Sequence, residues 1–91
     1  MVRQTKRKEA LTKLHQLKEG LKTEINAENP NMIFVTQKLK ELVAYRTVAM
    51  FINFDYLGKE SDDNLKTEAR RELEVYLNDA EDTMFEAEDL I

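Results

Sequence analysis

Histidine is the side chain that most often works as an acid, a base or a metal ligand near neutral pH, and the sequence has one, His15. Triad-type catalysis needs a histidine between a nucleophile and an orienting acid, and no Ser-His-Asp or Cys-His arrangement can be built around His15. The sequence has no cysteine, which excludes thiol nucleophiles, thiolate metal sites and disulfides. We predict that His15 lies at the surface or at the edge of an apolar seam and has no catalytic role.

The last segment of the chain is acidic, and its carboxylates are spaced so that pairs can share one face of a helix. The acids are Asp79, Glu81, Asp82, Glu86, Glu88 and Asp89. Di-iron sites on helices need Glu-x-x-His pairs from separate helices, which a single histidine excludes, and the residue order of a calcium loop does not occur. With glycine only at positions 20 and 58, no phosphate-binding loop is present either. We therefore predict no catalytic residue, no metal and no cofactor, and we interpret the acids as a solvated face or as a contact for a basic partner.

Charge is distributed unevenly along the chain, which carries a net charge of −4. Residues 1–46 hold ten Lys and Arg against five Asp and Glu, whereas residues 47–91 hold four against thirteen. The two halves should attract each other, and this weakens a nucleic-acid function for the basic opening segment RQTKRK, which also lacks interleaved aromatic residues. No secretory signal is visible, and no apolar run approaches the roughly 20 residues of a bilayer helix. We expect a cytoplasmic protein that binds neither nucleic acid nor membrane.

The element types follow from composition and spacing. Two glycines and one proline in 91 residues leave little material for the turns of a β protein. Apolar residues recur at steps of three and four, which predicts an all-α chain with helices at about 5–27, 30–57 and 62–89. We place Asn29 as the cap and Pro30 as the first residue of the second helix, Gly58 in the left-handed conformation after its end, and Ser61 as the cap of the third. The prediction is one helical domain, residues 1–91, forming an antiparallel up-down-up bundle.

The middle helix is the most apolar part of the sequence, with 17 apolar side chains in the 26 positions from Met32 to Leu57. At 100° per residue these side chains form two nearly opposite stripes. One stripe consists of Met32, Val35, Leu39, Leu42, Val43, Ala49, Met50 and Leu57, and the other of Phe34, Tyr45, Val48, Ile52 and Tyr56. One interpretation is that the middle helix contacts both neighbours; the other is that the aromatic-rich second stripe binds a partner or a second copy of the chain. We predict the second stripe as a partner-binding site and expect a homodimer, with Leu39 and Leu42 in the core.

Two polar residues, Arg46 and Asn53, fall within the first stripe. A buried guanidinium without an anionic partner is too costly to persist, so Arg46 needs a carboxylate. The third helix offers several, including Glu68, Glu72 and Glu74. We predict a buried or half-buried ion pair at Arg46 as the alternative to a ligand-binding arginine.

The turn between the first two helices and its flanks resemble one known family, the small helical-hairpin aspartyl-phosphate phosphatases that act on the sporulation response regulator of bacilli. The second helix of that family opens with Ser-Gln-Glu-Leu-Asp followed by apolar positions; here the matching run is TQKLK, residues 36–40, followed by Leu42 and Val43. The preceding LKEGLKTEINAENPN has a comparable length, and the resemblance covers about residues 11–46. Only Gln37 and Leu39 are identical, and Lys40 stands where the family has its acidic residue, so the activity does not carry over with the hairpin.

The sequence supports three hypotheses about function. The first is a small non-enzymatic regulator or adaptor, bacterial or phage-encoded, that acts by docking a helical face on another protein. The second, which the resemblance implies, is a phosphatase-like regulator of a phosphorylated response regulator. The third is an acidic inhibitor that presents its third helix to a DNA-binding protein.

Overall fold

The computed structural model describes the backbone of residues 2–91 and the side chains of residues 4–91, and it consists of three long helices. They are α1 (Val2–Ile25), α2 (Met32–Lys59) and α3 (Asp63–Leu90), with 24, 28 and 28 residues. All three contact one another, and no strand occurs among the described residues. The prediction of an all-α, three-helix, up-down-up bundle is confirmed.

Contacts between side chains fix the directions of the helices. Arg7 near the start of α1 lies against Tyr56 near the end of α2, so these two helices are antiparallel. Arg7 also pairs with Glu72, and Lys18 pairs with Asp79, so α1 and α3 run in the same direction. The bundle measures 48 × 18 × 15 Å.

The start of α2 differs from the prediction by two residues. Asn31, not Asn29, caps the helix: its side-chain oxygen accepts hydrogen bonds from the backbone N–H groups of Ile33 and Phe34 at 3.0 and 3.2 Å. Pro30 therefore precedes the cap instead of opening the helix. The two asparagines are equally good capping residues by type. Asn31 is also tied to α1, because its backbone N–H donates to the Glu24 carboxylate at 3.3 Å.

The end of α2 and the start of α3 also differ from the prediction. Gly58 lies inside α2, and no glycine or other described residue has a positive φ; the C-cap is Glu60, whose N–H donates to the Tyr56 carbonyl at 3.0 Å. Asp62, not Ser61, caps α3 by accepting from the N–H groups of Asn64 and Leu65. A carboxylate at this position also meets the positive end of the helix dipole, which a hydroxyl does not do as strongly.

The core is a narrow seam along the bundle axis. It contains Ala10, Leu14, Leu21, Val35, Leu42, Ala49, Ala80 and Ala87. Half of these residues are alanines, whose small side chains let the helices approach one another closely. Each helix contributes one buried stripe to this seam. Leu42 is completely buried, as predicted, whereas Leu39 is half-buried and packs at the margin. Met32 and Val43, which we assigned to the same stripe, are exposed. Val43 lies about 60° further round α2 than Arg46, which faces α3, and Met32 is the first residue of the helix.

Candidate functional site: the outer face of the second helix

Two cations of α1, Arg7 and Lys18, are buried, and each is paired with an acid of α3. Arg7 is 1% exposed although it lies near the start of the chain. Its guanidinium donates to Gln4 Oε1 at 2.7 Å, lies 3.4 and 3.5 Å from the two carboxylate oxygens of Glu72, and stands 5.0 Å from the centre of the Tyr56 ring. These contacts join all three helices at one end of the bundle. The side chain of Arg3, in the same basic segment, lies outside the described residues.

Lys18 forms a second buried cation on α1. Its ammonium donates to Asp79 at 2.7 Å and to Glu19 at 3.0 Å. Burial disfavours the charged ammonium, but the two carboxylates outweigh that effect and raise the pKa of Lys18. His15 is exposed beside this pair, 3.5 Å from Glu19 and 3.9 Å from Asp79. It is a surface histidine at the edge of the seam, as predicted.

Arg46 has the carboxylate partner that its position required. The partner is Glu81, with both side chains about one-third exposed, and not Glu68, Glu72 or Glu74. The pair joins α2 to α3, because residue 81 lies at the level of residue 46 in the antiparallel packing. Sequence reasoning found the need for an anion but not its position.

Arg7 and Lys18 were missed as buried residues, yet the sequence held a signal for them. Positions 7, 11, 14, 18, 21 and 25 continue one rhythm of alternating fours and threes, so both cations lie in the same seam as the leucines of α1. Arg7 forms an ion pair with Glu72 and Lys18 forms one with Asp79, and both acids belong to α3. The opposite charges of the two halves of the chain thus help to hold α1 and α3 together.

The described residues contain neither a metal site nor a membrane-spanning segment. No group of three or more His, Cys, Asp or Glu side chains in this part of the chain is placed to hold a metal ion. Within the same range, no helix has an apolar stretch that is long enough to cross a bilayer.

Four exposed large apolar side chains lie along one face of α2, which we call the outer face; three more, Met32, Ile33 and Phe34, are exposed in the first turn of the same helix. The outer face consists of Val43, Ala44, Thr47, Val48, Phe51 and Phe54. Phe51 is 70% exposed and Phe54 is 51% exposed. The outer face carries no charged residue of its own and is bounded by Lys40 and Glu41 at one end and by Asp55 at the other. Over about three helical turns it therefore presents an apolar surface to solvent.

The two neighbouring helices explain why this face stays uncovered. On one side of α2, Tyr45 and Tyr56 face α1, where Lys13 lies 4.7 Å from the Tyr45 ring centre. On the other side, Arg46 faces α3. The outer face lies between these two edges and opposite the buried Leu42 and Ala49.

The predicted partner stripe is divided by this arrangement. Phe34 and Val48 are exposed, Tyr45 and Ile52 are half-buried, and Tyr56 is buried at 4% exposure. Burial and the nearby Glu9 carboxylate raise the pKa of the Tyr45 hydroxyl. Of the five residues, Val48 belongs to the outer face. Tyr45, Ile52 and Tyr56 lie along the side of α2 that faces α1. Phe51 and Phe54, the most exposed aromatic residues of the outer face, were not part of the predicted stripe.

Three large apolar residues, Val75, Phe85 and Leu90, are also exposed on α3, and the first two lie in different surroundings. Phe85, 60% exposed, and Val75 lie among acidic side chains. They are isolated apolar positions on a charged face, which are common on protein surfaces. The outer face of α2 differs from them because it carries no charged residue over about three helical turns.

The chain was also compared with known proteins. A scan of protein-family models, a search of curated proteins and a search of solved structures each returned no match to this chain.

Proposed function

We propose that the protein is a small non-enzymatic regulator or adaptor of the cytoplasm that docks on another protein through the outer face of α2. The observation that carries the proposal is the exposure of Phe51 and Phe54 within an uncharged surface about three turns long. Aromatic residues are enriched at interface centres because they bury a large area with few rotatable bonds. A helix of a partner fits such a surface, since helix pairs pack along ridges of side chains.

The charged residues support a docking role in preference to catalysis. The buried cations Arg7 and Lys18 are each held by a carboxylate and so maintain the bundle. Both flanks of α2 are held in place, on one side by Tyr45 and Tyr56 against α1 and on the other by the Arg46–Glu81 pair with α3, so α2 forms a rigid platform. A rigid helix loses little conformational freedom on binding.

Site-specific photo-crosslinking tests the proposal. A benzophenone amino acid replaces Phe51 in one variant and Phe85 in a matched control; both are exposed phenylalanines, but on different helices. In living cells of the source, we expect the variant at position 51 to give a defined crosslinked species and the variant at position 85 to give none. Equal yields from both positions, or none from position 51, would refute docking through the outer face.

A phosphatase-like role is the second candidate, and the exposure of Gln37 favours it. Gln37, which matches the resemblance described above, is exposed on α2, as is Lys40. A receiver domain approaching there would meet Lys40 instead of an acidic side chain. Release of phosphate from a phosphorylated response regulator, measured with the wild-type chain and with Gln37→Ala, separates this candidate from pure docking.

An acidic inhibitor is the third candidate, supported by the exposed carboxylates of Asp82, Glu86 and Asp89 on α3. Three other acids of this helix, Glu72, Asp79 and Glu81, are already paired within the bundle. An inhibitor of this type would bind a basic protein in a strongly salt-dependent manner. Docking through the uncharged outer face depends only weakly on salt.

A further inference from the structure

We propose that the outer face of α2 pairs with the same face of a second copy of this chain, with the two α2 helices antiparallel and the twofold axis between Thr47 and Val48. The inference rests on the proposed function and names its partner. In such a pair, residues at equal distances on either side of the axis face each other. The partner of each position can therefore be read from the sequence of α2.

The charges at the two ends of the outer face fit this pairing. Lys40 and Asp55 lie at equal distances from the proposed axis, so each lysine meets the aspartate of the second copy, twice in the dimer. Asp55 also accepts a hydrogen bond from Lys59 at 3.2 Å on its own helix. A carboxylate has room for both donors, since its two oxygens offer about four acceptor positions.

Other arrangements of the two helices bring like charges together. A parallel, in-register pair would place Lys40 against Lys40 and Asp55 against Asp55. An antiparallel pair shifted by one helical turn in one direction would place Lys40 opposite Lys59. Like-charge contacts at an interface disfavour such pairings. The opposite shift separates Lys40 from Asp55, so among these four arrangements the proposed register is the one that sets Lys40 against Asp55.

Side-chain size gives an independent match. In the proposed register Phe51 faces Ala44, so the most exposed aromatic residue of the outer face meets a small one. Helices whose axes are about 8–10 Å apart pack in this way, with large side chains set against small ones. The two flanking helices lie on the far side of each α2 and do not block the approach.

The size of the contact sets its strength. From Lys40 to Asp55 the helix extends roughly 22 Å, and one helix pair of this length is at the small end of specific interfaces. We therefore expect a dimer with a dissociation constant on the order of 10 µM.

Charge reversal tests the inference in the full chain. Sedimentation equilibrium from about 1 to about 500 µM should show wild-type mass rising from monomer to dimer. Lys40→Glu and Asp55→Lys should each weaken the dimer about tenfold or more, because each creates two like-charge contacts per dimer. The double variant Lys40→Glu with Asp55→Lys should restore the wild-type constant to within about threefold. Arg71→Glu, an exposed charge reversal on α3, is the matched control and should change little.

Phe51→Glu adds a readout that does not depend on register. The side chain is largely exposed in the single chain, so the variant should keep its helical circular dichroism and lose the dimer. A double charge variant no tighter than the single variants would overturn the register. A wild-type chain that stays monomeric throughout would overturn self-pairing.

These failures differ from the failure of the proposed function. A monomeric chain that still gives a crosslinked heterologous protein at position 51 loses the second copy but retains docking through the outer face. If Phe51→Glu leaves the dimer intact and position 51 gives no crosslink, both self-pairing and docking through the outer face are refuted.

Discussion

Removing the negative charge of Glu72 should destabilise the protein, whereas removing the positive charge of Arg7 should not. Arg7 is 1% exposed and faces the Glu72 carboxylate, the Gln4 side chain and the Tyr56 ring. Glu72→Gln keeps the shape of the side chain but leaves the guanidinium without its anion. Arg7→Met removes the buried charge and retains an unbranched apolar chain of similar length. Glu72→Gln thus leaves a buried cation without its anion, whereas Arg7→Met leaves a carboxylate that is one-third exposed to water.

The magnitude follows from the contacts. Breaking a fully buried ion pair from one side costs about 3–5 kcal/mol. The cost is smaller here because Glu72 is 33% exposed and because Gln4 and Tyr56 still contact the cation. We expect Glu72→Gln to lower the free energy of unfolding by about 2 kcal/mol. We expect Arg7→Met to stay within about 1 kcal/mol of wild type, since apolar replacements of buried ion pairs are often neutral.

Urea unfolding followed by circular dichroism measures all four chains of the cycle: wild type, the two single variants and the double variant. The double variant should resemble Arg7→Met, because the glutamine introduced at position 72 then faces no buried charge. In thermal melts, Glu72→Gln should lower Tm by roughly 10 °C for a domain of this size. If Arg7→Met destabilises as much as Glu72→Gln, the pair contributes net attraction and the reasoning is wrong.

Four further substitutions test the packing and one of the buried ion pairs. Leu42→Ala should cost about 3 kcal/mol and Leu39→Ala about 1 kcal/mol, since Leu42 is fully buried and Leu39 half-buried; equal costs in urea unfolding would contradict this difference. Gly58→Ala should stabilise by about 0.5–1 kcal/mol, because Gly58 lies within α2 and a Cβ there would meet nothing within 4 Å. A loss of stability on that change would indicate a left-handed conformation. Finally, the raised pKa of Lys18 means that its stabilising effect is complete below the ordinary lysine value of 10.5 and is lost as pH rises through the higher folded-state value. Unfolding free energies measured across this range should therefore fall more for wild type than for Lys18→Met.

The sequence predicted the helices because apolar spacing is a property of each helix alone, and it predicted their ends less well. Asn29 and Asn31 are equally good caps by residue type, and the contact between Asn31 and Glu24 of α1 does not show in the spacing of apolar residues. Burial of Arg7 was readable from its place in the seam of α1, but the sequence pattern alone does not say which of several acids lies opposite.

The candidate site was only partly predictable from the sequence. The composition of α2 indicated surplus apolar surface, and α2 has an exposed apolar face. Which stripe remains uncovered depends on the angle at which α1 and α3 approach α2, and that angle is set by the packing of all three helices. Tyr56 was consequently assigned to the partner surface although Arg7 covers it, and Phe51 was left out although it is the most exposed aromatic residue of the outer face.

Disulfide trapping tests the central claim, pairing through the outer face of α2, most directly. The chain has no cysteine of its own, so Thr47→Cys introduces a single thiol beside the proposed twofold axis. With helix axes about 8–10 Å apart, the two Cα atoms at position 47 fall within the roughly 4.4–6.8 Å that a disulfide requires. Thr67→Cys places a single thiol at an exposed threonine of α3 and serves as the matched control. Under mild oxidation at equal concentration, we predict rapid formation of a covalent dimer by Thr47→Cys and slow formation by Thr67→Cys. Equal rates for the two variants would contradict pairing through the outer face.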